Sequence, residues 1–74
     1  MIRSKLKERR LSLGYTQQYV ADFVPIRRTY YTEIENGNRH GNIEIWARIG
    51  EILKIPESEL VPYIREGTQK GEEG

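Results

Sequence analysis

The pattern of apolar and polar positions is clearest between residues 16 and 37, where it indicates two short helices. Two sets of apolar residues share helical faces, one at spacings i, i+1 and i+4 and the other at i, i+3: Val20, Ala21 and Val24, then Tyr31 and Ile34. Pro25 lies between the sets, and proline disfavours helical geometry in the residue before it. We therefore expect the first helix to end at this proline and a tight bend to join the two helices.

The second of these helices leaves polar and cationic side chains for solvent, as in a helix that reads a DNA major groove. Arginine can pair with guanine, a threonine methyl can touch thymine, and glutamate can accept from cytosine. Four residues of these types are predicted to contact bases: Arg27, Arg28, Thr29 and Glu33. Thr32 and Tyr30 are further candidates for DNA contact, and Tyr30 can instead reach a phosphate.

Five helices are predicted over the whole chain, with these approximate bounds: 2–13, 16–23, 27–36, 43–54 and a short fifth helix that Pro56 opens. Gly14 and Gly37 follow the first and third helices, where a residue that tolerates positive φ commonly ends a helix. Thr16 and Asn42 can cap exposed N–H groups at the starts of the second and fourth helices. Pro62 is expected to kink or end the fifth helix.

Helical spacing also selects inward-facing residues on the first and fourth helices: Ile2, Leu6 and Leu13, then Trp46, Ile49, Gly50 and Leu53. A glycine in the middle of a helix costs about 1 kcal/mol relative to alanine. Gly50 either makes room for the indole of Trp46, one turn before it, or is simply tolerated.

A second apolar line on the fourth helix and the apolar residues after it exceed what so small a core obviously needs: Ile45, Ile52, Leu60, Val61, Tyr63 and Ile64. Either the fifth helix buries them, or some of them form a homodimer interface. The pattern leaves both possibilities open.

The predicted fold class is therefore all-α, with five short helices around one core. A chain of 74 residues is long enough for one small domain, which we assign to residues 1–66. Residues 67–74 are glycine-rich and charged, and we expect them to form a disordered tail.

The formal net charge of +1 conceals an uneven distribution. Residues 1–48 hold nine Lys/Arg against five Asp/Glu, whereas residues 49–74 hold three against six. The basic segment, residues 1–48, contains the two helices that the tight bend joins. Such a split can orient a protein on a polyanion while the molecule stays soluble.

The composition argues against several function classes. The chain has no cysteine, which excludes a disulfide framework and a thiolate zinc site and fits a cytoplasmic location. No apolar run is long enough to cross a membrane, so we expect no membrane partner. His40 is the single histidine, and neither a nucleophile–histidine spacing nor a phosphate-binding loop is present. We therefore expect no enzyme, no metal and no cofactor.

The bend and its flanking helices resemble the helix-turn-helix of the phage repressor/Cro-type regulators, the XRE family. The matching positions are Gly14, Thr16, Gln17, Ala21, Ile26, the run 28–32, the motif Ile34-Glu35-Asn36-Gly37, and Arg39. The likeness covers about residues 2–66, with Ile43, Ile49, Leu53 and Ile55 where the family has core residues. It implies a lambda-repressor-like DNA-binding domain whose partner is a double-stranded DNA operator.

The resemblance also implies phosphate contacts on both sides of the groove. Gln17 matches the glutamine with which the family binds the DNA backbone at the start of its second helix. Asn36, Arg39 and Asn42 flank the far end of the third helix and are expected to bind phosphates there, although Asn42 has a second possible role as a cap. Contacts of this kind set register and affinity without reading sequence.

Three further residues are expected to be structural: Glu35, Arg10 and Tyr31. In the family, the glutamate equivalent to Glu35 pairs with an arginine of the first helix, which here is Arg10, with Arg9 as the competing partner. Tyr31 stands where the family prefers isoleucine, and we expect a core residue with its hydroxyl at the edge of the packing.

The function predicted from the sequence is that of a sequence-specific repressor, bound as a homodimer to a palindromic operator whose half-sites lie about 34 Å apart. A small domain without a sensor suits a phage-type repressor, a controller-type activator that touches RNA polymerase, or an antitoxin-like autoregulator. The alternative from another class is a protein-interaction module that does not bind DNA.

Overall fold

The structure, a computed structural model, describes residues 2–66, and this part of the chain is all-helical. It contains five α-helices and a 3₁₀ turn, Glu57–Glu59, with these bounds: α1 (Ser4–Ser12), α2 (Gln17–Phe23), α3 (Arg28–Glu35), α4 (Ile43–Leu53) and α5 (Leu60–Glu66). One buried apolar cluster joins them. The predicted fold class is confirmed. The predicted tail, 67–74, lies outside the described residues, and the domain boundary at residue 66 stays a prediction.

The starts of α2 and α4 and the end of α3 follow the predicted local signals. The Thr16 hydroxyl accepts from the backbone N–H of Tyr19 at 3.0 Å, and Asn42 Oδ1 accepts from the N–H of Ile45 at 2.9 Å. Both caps are confirmed. Gly37 follows α3 with a φ of 81°, a conformation that costs glycine little because it has no Cβ. These three helix ends are therefore set by the residues adjacent to them.

The start of α1 differs from the prediction, because Arg3 and not Ile2 lies inside the fold. α1 begins at Ser4, and Arg3 before it has non-helical backbone angles. Ile2 is 52% exposed, whereas the Arg3 side chain is fully buried. The non-helical residue turns the chain, so the helical spacing that placed Ile2 on the inward face does not extend to it. The predicted core position of Ile2 is wrong.

The buried guanidinium of Arg3 is satisfied by backbone carbonyls. It donates to the carbonyl oxygens of Ile34, Arg39 and Ile64, and its Cζ lies 5.2 Å from the ring centroid of Trp46. Burial lowers the pKa of Arg3, and the charge of Glu66 partly offsets this effect. Arg3 thus links the start of the chain to the end of α3 and to α5.

The first turn of α1 is capped from the other end of the described chain. The Glu66 carboxylate accepts from the Ser4 hydroxyl at 2.9 Å and from the backbone N–H of Lys5 at 2.9 Å. A carboxylate at a helix N-terminus satisfies exposed N–H groups and matches the helix dipole. α1 and α5 are therefore fastened together at this point.

The bend after α2 lies at Pro25, as predicted, but the expected cause is wrong. Val24 keeps helical backbone angles, φ −59° and ψ −38°, and the Val24–Pro25 bond is cis. The helix ends because Pro25 has no N–H to continue the hydrogen-bond ladder. The next N–H, that of Ile26, donates back to the carbonyl of Ala21 at 2.8 Å.

The inward faces of α2, α3 and α4 form the core that was predicted. The apolar residues of these faces are buried in one cluster: Val20, Ala21, Val24, Tyr31, Ile34, Trp46, Ile49 and Leu53. Leu6 of α1 is also fully buried, and Leu13 packs against the cluster at its border. The family resemblance predicted that Ile43 is a core residue. This prediction is wrong, since Ile43, the first residue of α4, is 84% exposed.

Gly50 makes room for α5 and not for the indole of Trp46. A Cβ at Gly50 would lie 3.2 Å from the Ile55 carbonyl oxygen and 3.2 Å from a methyl group of Leu60. The glycine that faces the indole is Gly41, where a Cβ would lie 3.1 Å from Trp46 Nε1. Gly50 therefore neither makes room for the indole nor is simply tolerated, because it allows close packing between α4 and α5.

The second apolar line is mostly covered within the chain. Ile52 and Leu60 are buried, and Ile45, Tyr63 and Ile64 pack against the core. Val61 remains 53% exposed. Pro62 was expected to kink or end α5, and it does not end the helix, because it lies in the first turn, where a missing N–H removes no intrahelical bond.

An open apolar groove of about 700 Å³ remains between the loop before α4, α4 itself and α5. The exposed side chains of Ile43 and Val61 are part of its lining. Within residues 2–66, no helix is long and apolar enough to span a bilayer.

Candidate nucleic-acid interface

The inner faces of α2 and α3 pack against each other, and this packing determines which side of α3 faces solvent. Val20 and Ala21 of α2 are completely buried, as are Tyr31 and Ile34 of α3. The opposite side of α3 is consequently exposed over its first turn. This side of α3, together with the N-cap residue Arg27 before the helix and Arg39 in the loop after it, is called the recognition face below.

Arg27, Arg28 and Thr29 form the N-terminal part of the recognition face. All three are exposed, and within residues 2–66 their side chains form no hydrogen bond and no ion pair. Arg27 is the N-cap residue, and its side chain caps no N–H group. Two cations therefore stand at the positive end of the α3 dipole without an ion-pair partner among residues 2–66, an arrangement that a bound polyanion would stabilise.

Gln17 and Thr32 lie side by side between α2 and α3. The Thr32 hydroxyl donates to Gln17 Oε1 at 2.8 Å, and Gln17 Nε2 donates to Glu35 Oε1 at 3.1 Å. Both residues are half-buried. Sequence reasoning assigned both residues to DNA and did not find this link, which depends on the packing of two helices. One N–H of the Gln17 amide remains for a phosphate oxygen.

The ion pair between Arg10 and Glu35 lies beneath these residues, and this prediction is confirmed. Arg10 Nε donates to Glu35 Oε2 at 2.6 Å, and Arg10 Nη2 donates to Oε1 at 3.2 Å. The two side chains are 7% and 2% exposed. Hydrogen bonding to Glu35 raises the pKa of Arg10. The competing residue, Arg9, instead donates to the carbonyls of Leu53 and Lys54 at the end of α4.

Tyr31 is a core residue as expected, but its hydroxyl does not lie at the edge of the packing. The hydroxyl is buried and has no hydrogen-bond partner among residues 2–66. Burial, and then the negative charge of Glu35, raise the pKa of Tyr31. The hydroxyl points inward because Tyr31 occupies the buried face of α3 next to the Arg10–Glu35 pair.

The C-terminal part of the recognition face carries a contact between three predicted DNA-binding residues. Arg39 Nε donates to Glu33 Oε1, and Arg39 Cζ lies 4.7 Å from the ring centroid of Tyr30. The Arg39 and Glu33 side chains are 51% and 44% exposed. The neighbouring carboxylate of Glu33 raises the pKa of Arg39.

The remaining predicted contacts lie beside this end of α3. Asn36 is the exposed C-cap residue of α3. Asn42 is exposed as well, and its Oδ1 caps α4, so that its Nδ2 group is the part available to a phosphate. Sequence reasoning did not find Arg3, whose Nη1 donates to the Arg39 carbonyl at 2.9 Å. No signal distinguished it from the other basic residues near the N-terminus.

The described residues show no arrangement for metal chemistry, since no three His, Cys, Asp or Glu side chains of residues 2–66 cluster around a common point. The outward-facing groups on α3 are hydrogen-bond donors and cations, with one carboxylate paired to an arginine. This chemistry matches the phosphates and base edges of a duplex.

Comparisons with known proteins agree with this geometry. The helix-turn-helix family model matches residues 6–60. The chain is 47% identical over 53 residues to the uncharacterized HTH-type transcriptional regulator YqaF of Bacillus subtilis (strain 168), an alignment that covers 72% of this chain and 70% of YqaF. No solved structure matches the chain. This chain belongs to the XRE family of helix-turn-helix transcriptional regulators, which are DNA-binding proteins.

Proposed function

We propose that the chain is a transcriptional repressor that binds a palindromic operator as a homodimer, with α3 in the major groove of each half-site. The observation that carries this proposal is the exposed start of α3, where Arg27, Arg28 and Thr29 have no partner among residues 2–66. Two unpaired cations at the positive end of a helix dipole are unfavourable in the free protein, and DNA removes the conflict.

The residues have two kinds of role in this complex. Arg27, Arg28, Thr29 and Glu33 contact base edges and provide sequence selection. Phosphate contacts come from the other members of the predicted set and fix the position of the protein on the duplex: Gln17, Tyr30, Thr32, Asn36, Arg39 and Asn42.

Homodimer formation would place two copies of α3 in successive major grooves, about 34 Å apart. The apolar side chains of Ile43 and Val61 remain exposed along the groove beside α5, and this surface supports association with a second copy. Repression follows when the bound dimer occupies DNA that RNA polymerase needs.

Selection of bound duplexes from a random pool tests DNA recognition. We expect an enriched sequence with two-fold symmetry. Affinity for that sequence should fall steeply with salt, with a log–log slope near −0.9 for each phosphate contacted. A protein that enriches no sequence and binds no duplex at low salt is an interaction module, and the proposal is then wrong.

Two further measurements test the finer parts of the proposal. Sedimentation of the protein on a full operator and on an isolated half-site should give two copies and one copy, respectively. In transcription assays with purified polymerase, an operator that overlaps the promoter should lower transcript yield. Increased yield from an upstream operator would instead identify an activator.

A further inference from the structure

Tyr30, Glu33 and Arg39 contact one another at the C-terminal end of the recognition face, and we call them the surface trio. Tyr30 and Glu33 are one helical turn apart on α3, while Arg39 belongs to the following loop. The guanidinium of Arg39 lies over the Tyr30 ring and donates from Nε to Glu33 Oε1. The contact therefore joins a helix to the loop after it.

The backbone around the surface trio is held from both sides. The N–H of Asn38 donates to the Glu33 carbonyl at 2.8 Å. Arg3 donates to the Arg39 carbonyl at 2.9 Å, and the Arg3 side chain is itself buried. The backbone of Arg39 is thus held in place, and its side chain contacts Tyr30 and Glu33 from that position.

The ion pair within the surface trio reduces the repulsion between the Glu33 carboxylate and the phosphates of bound DNA. A lone carboxylate on the recognition face would be repelled by phosphates, whereas a carboxylate paired with arginine is neutralised. The pair also leaves groups for other partners, because Glu33 Oε2 and both terminal nitrogens of Arg39 are not used within the trio. One acceptor therefore remains for a base, and several donors remain for phosphate.

We propose that Tyr30 and Arg39 are positioning residues that aim Glu33 at a cytosine, so that the surface trio selects one base pair of the operator. This inference rests on the proposed function. Glu33 Oε2 accepts from the cytosine N4 amino group, which is exposed in the major groove. The Tyr30 ring holds the guanidinium plane, Nε holds Glu33, and the terminal nitrogens of Arg39 face the DNA backbone.

This arrangement has a consequence that a simple phosphate contact lacks. Loss of a phosphate contact weakens binding to all sequences about equally. Loss of a residue that positions Glu33 also removes discrimination at a single base pair. The readout is therefore the ratio of affinities for two duplexes that differ only at that pair, and not the affinity itself.

The experiment begins with duplex selection by the wild-type protein and by Glu33→Ala, which identifies the base pair whose preference depends on Glu33. For the wild type, changing this pair should lower affinity by about 5- to 150-fold, the usual range for one specific base contact. The ratio of affinities for the two duplexes should fall below about threefold in Glu33→Ala, Arg39→Gln and Tyr30→Leu, because each variant loses the contact between Glu33 and the base. Tyr30→Phe keeps the ring and should keep the ratio.

Arg48→Gln is the matched control, since it removes one exposed positive charge from α4, and Arg48 has no hydrogen bond or ion pair within residues 2–66. It should retain the wild-type ratio. If Arg39→Gln weakens both duplexes by the same factor, Arg39 is only a phosphate contact and the inference is overturned. A selection in which Glu33→Ala loses preference at no position overturns it as well.

A measurement without DNA separates this inference from the proposed function. In ¹⁵N NMR spectra of the free protein, the Arg39 Nε–H signal should shift in both Glu33→Ala and Tyr30→Leu, and stay in place in Arg48→Gln. DNA binding with an unchanged Arg39 signal in these variants contradicts the inference alone. Wild-type protein that binds no duplex contradicts the proposed function, and the inference with it.

Discussion

At the scale of single residues, charged and polar side chains beneath α3 connect three helices. Glu35 accepts from Arg10 of α1 and from Gln17 of α2, and Gln17 accepts from Thr32 of α3. A buried ion pair contributes little net stability relative to apolar residues, but loss of one partner leaves a costly unpaired charge. The geometry of these residues therefore determines how α3 is held against the rest of the molecule.

Arg28→Ala should weaken binding to the selected operator by about 5- to 150-fold, the range for one bidentate contact with guanine. Arg28 is exposed on the first turn of α3. Binding to random duplex should change much less, because a contact to a guanine edge is lost only where that guanine is present. Fluorescence anisotropy with both duplexes measures the two losses, and Arg48→Ala is the control. Equal losses on both duplexes would show that Arg28 touches only the backbone.

Gln17→Ala should weaken binding to operator and random duplex by similar factors, because Gln17 is assigned to a phosphate. The free energy of unfolding should also fall by about 1–3 kcal/mol, since two hydrogen bonds are lost. Urea denaturation measures this loss. Gln18→Ala is the matched control, because Gln18 bonds only Asp22 of the same helix. An affinity loss confined to one sequence would contradict the assigned role.

At the scale of elements, the starts of α2 and α4 and the end of α3 depend on adjacent residues, whereas the first turn of α1 is capped by the distant Glu66. Thr16 caps α2, Asn42 caps α4, and Gly37 with its positive φ follows α3. These signals act over one turn of chain, so that they can be recognised in the sequence. Ile2 and Pro62 differ from expectation because of where a helix begins, since α1 starts only after the non-helical Arg3 and Pro62 lies in the first turn of α5.

Thr16→Ala should destabilise the protein by about 1 kcal/mol, the usual loss when an N-cap is removed. The reason is that the Thr16 hydroxyl satisfies the N–H of Tyr19. Thermal denaturation followed by circular dichroism measures the change, and Thr16→Ser should restore most of it. Thr29→Ala serves as the control, since Thr29 is exposed on α3 without a hydrogen-bond partner among residues 2–66. Equal melting temperatures for the two alanine variants would contradict the role of the cap.

At the scale of the whole molecule, the two ends of the described chain are fastened together. Glu66 caps α1, and Arg3 bonds the carbonyl of Ile64 in α5 as well as two carbonyls near the end of α3. A domain of this size buries a limited fraction of its surface and has little stability in reserve. These contacts between the two ends of the described chain are therefore expected to stabilise the fold.

Arg3→Met should lower the free energy of unfolding by about 2 kcal/mol or more, because several carbonyl oxygens lose their donor. For a domain of this length, the melting temperature should fall by roughly 10 °C. Calorimetry measures the change, and Lys5→Met, at an exposed position of α1, is the matched control. A melting temperature within about 2 °C of the wild type, well under the shift that 1 kcal/mol produces, would contradict the role of Arg3.

The amino-acid sequence by itself determined the helices, the bend at Pro25 and most of the core, and the family resemblance added the pairing of Glu35 with an arginine of the first helix. These features depend on helical spacing, on local caps and on a motif with fixed separations between its residues. Only the tertiary structure showed that Arg3 is buried, that Gly50 faces Leu60, and that Gln17 binds Glu35. Such contacts join residues far apart in the chain, and their geometry exists only after the helices have packed.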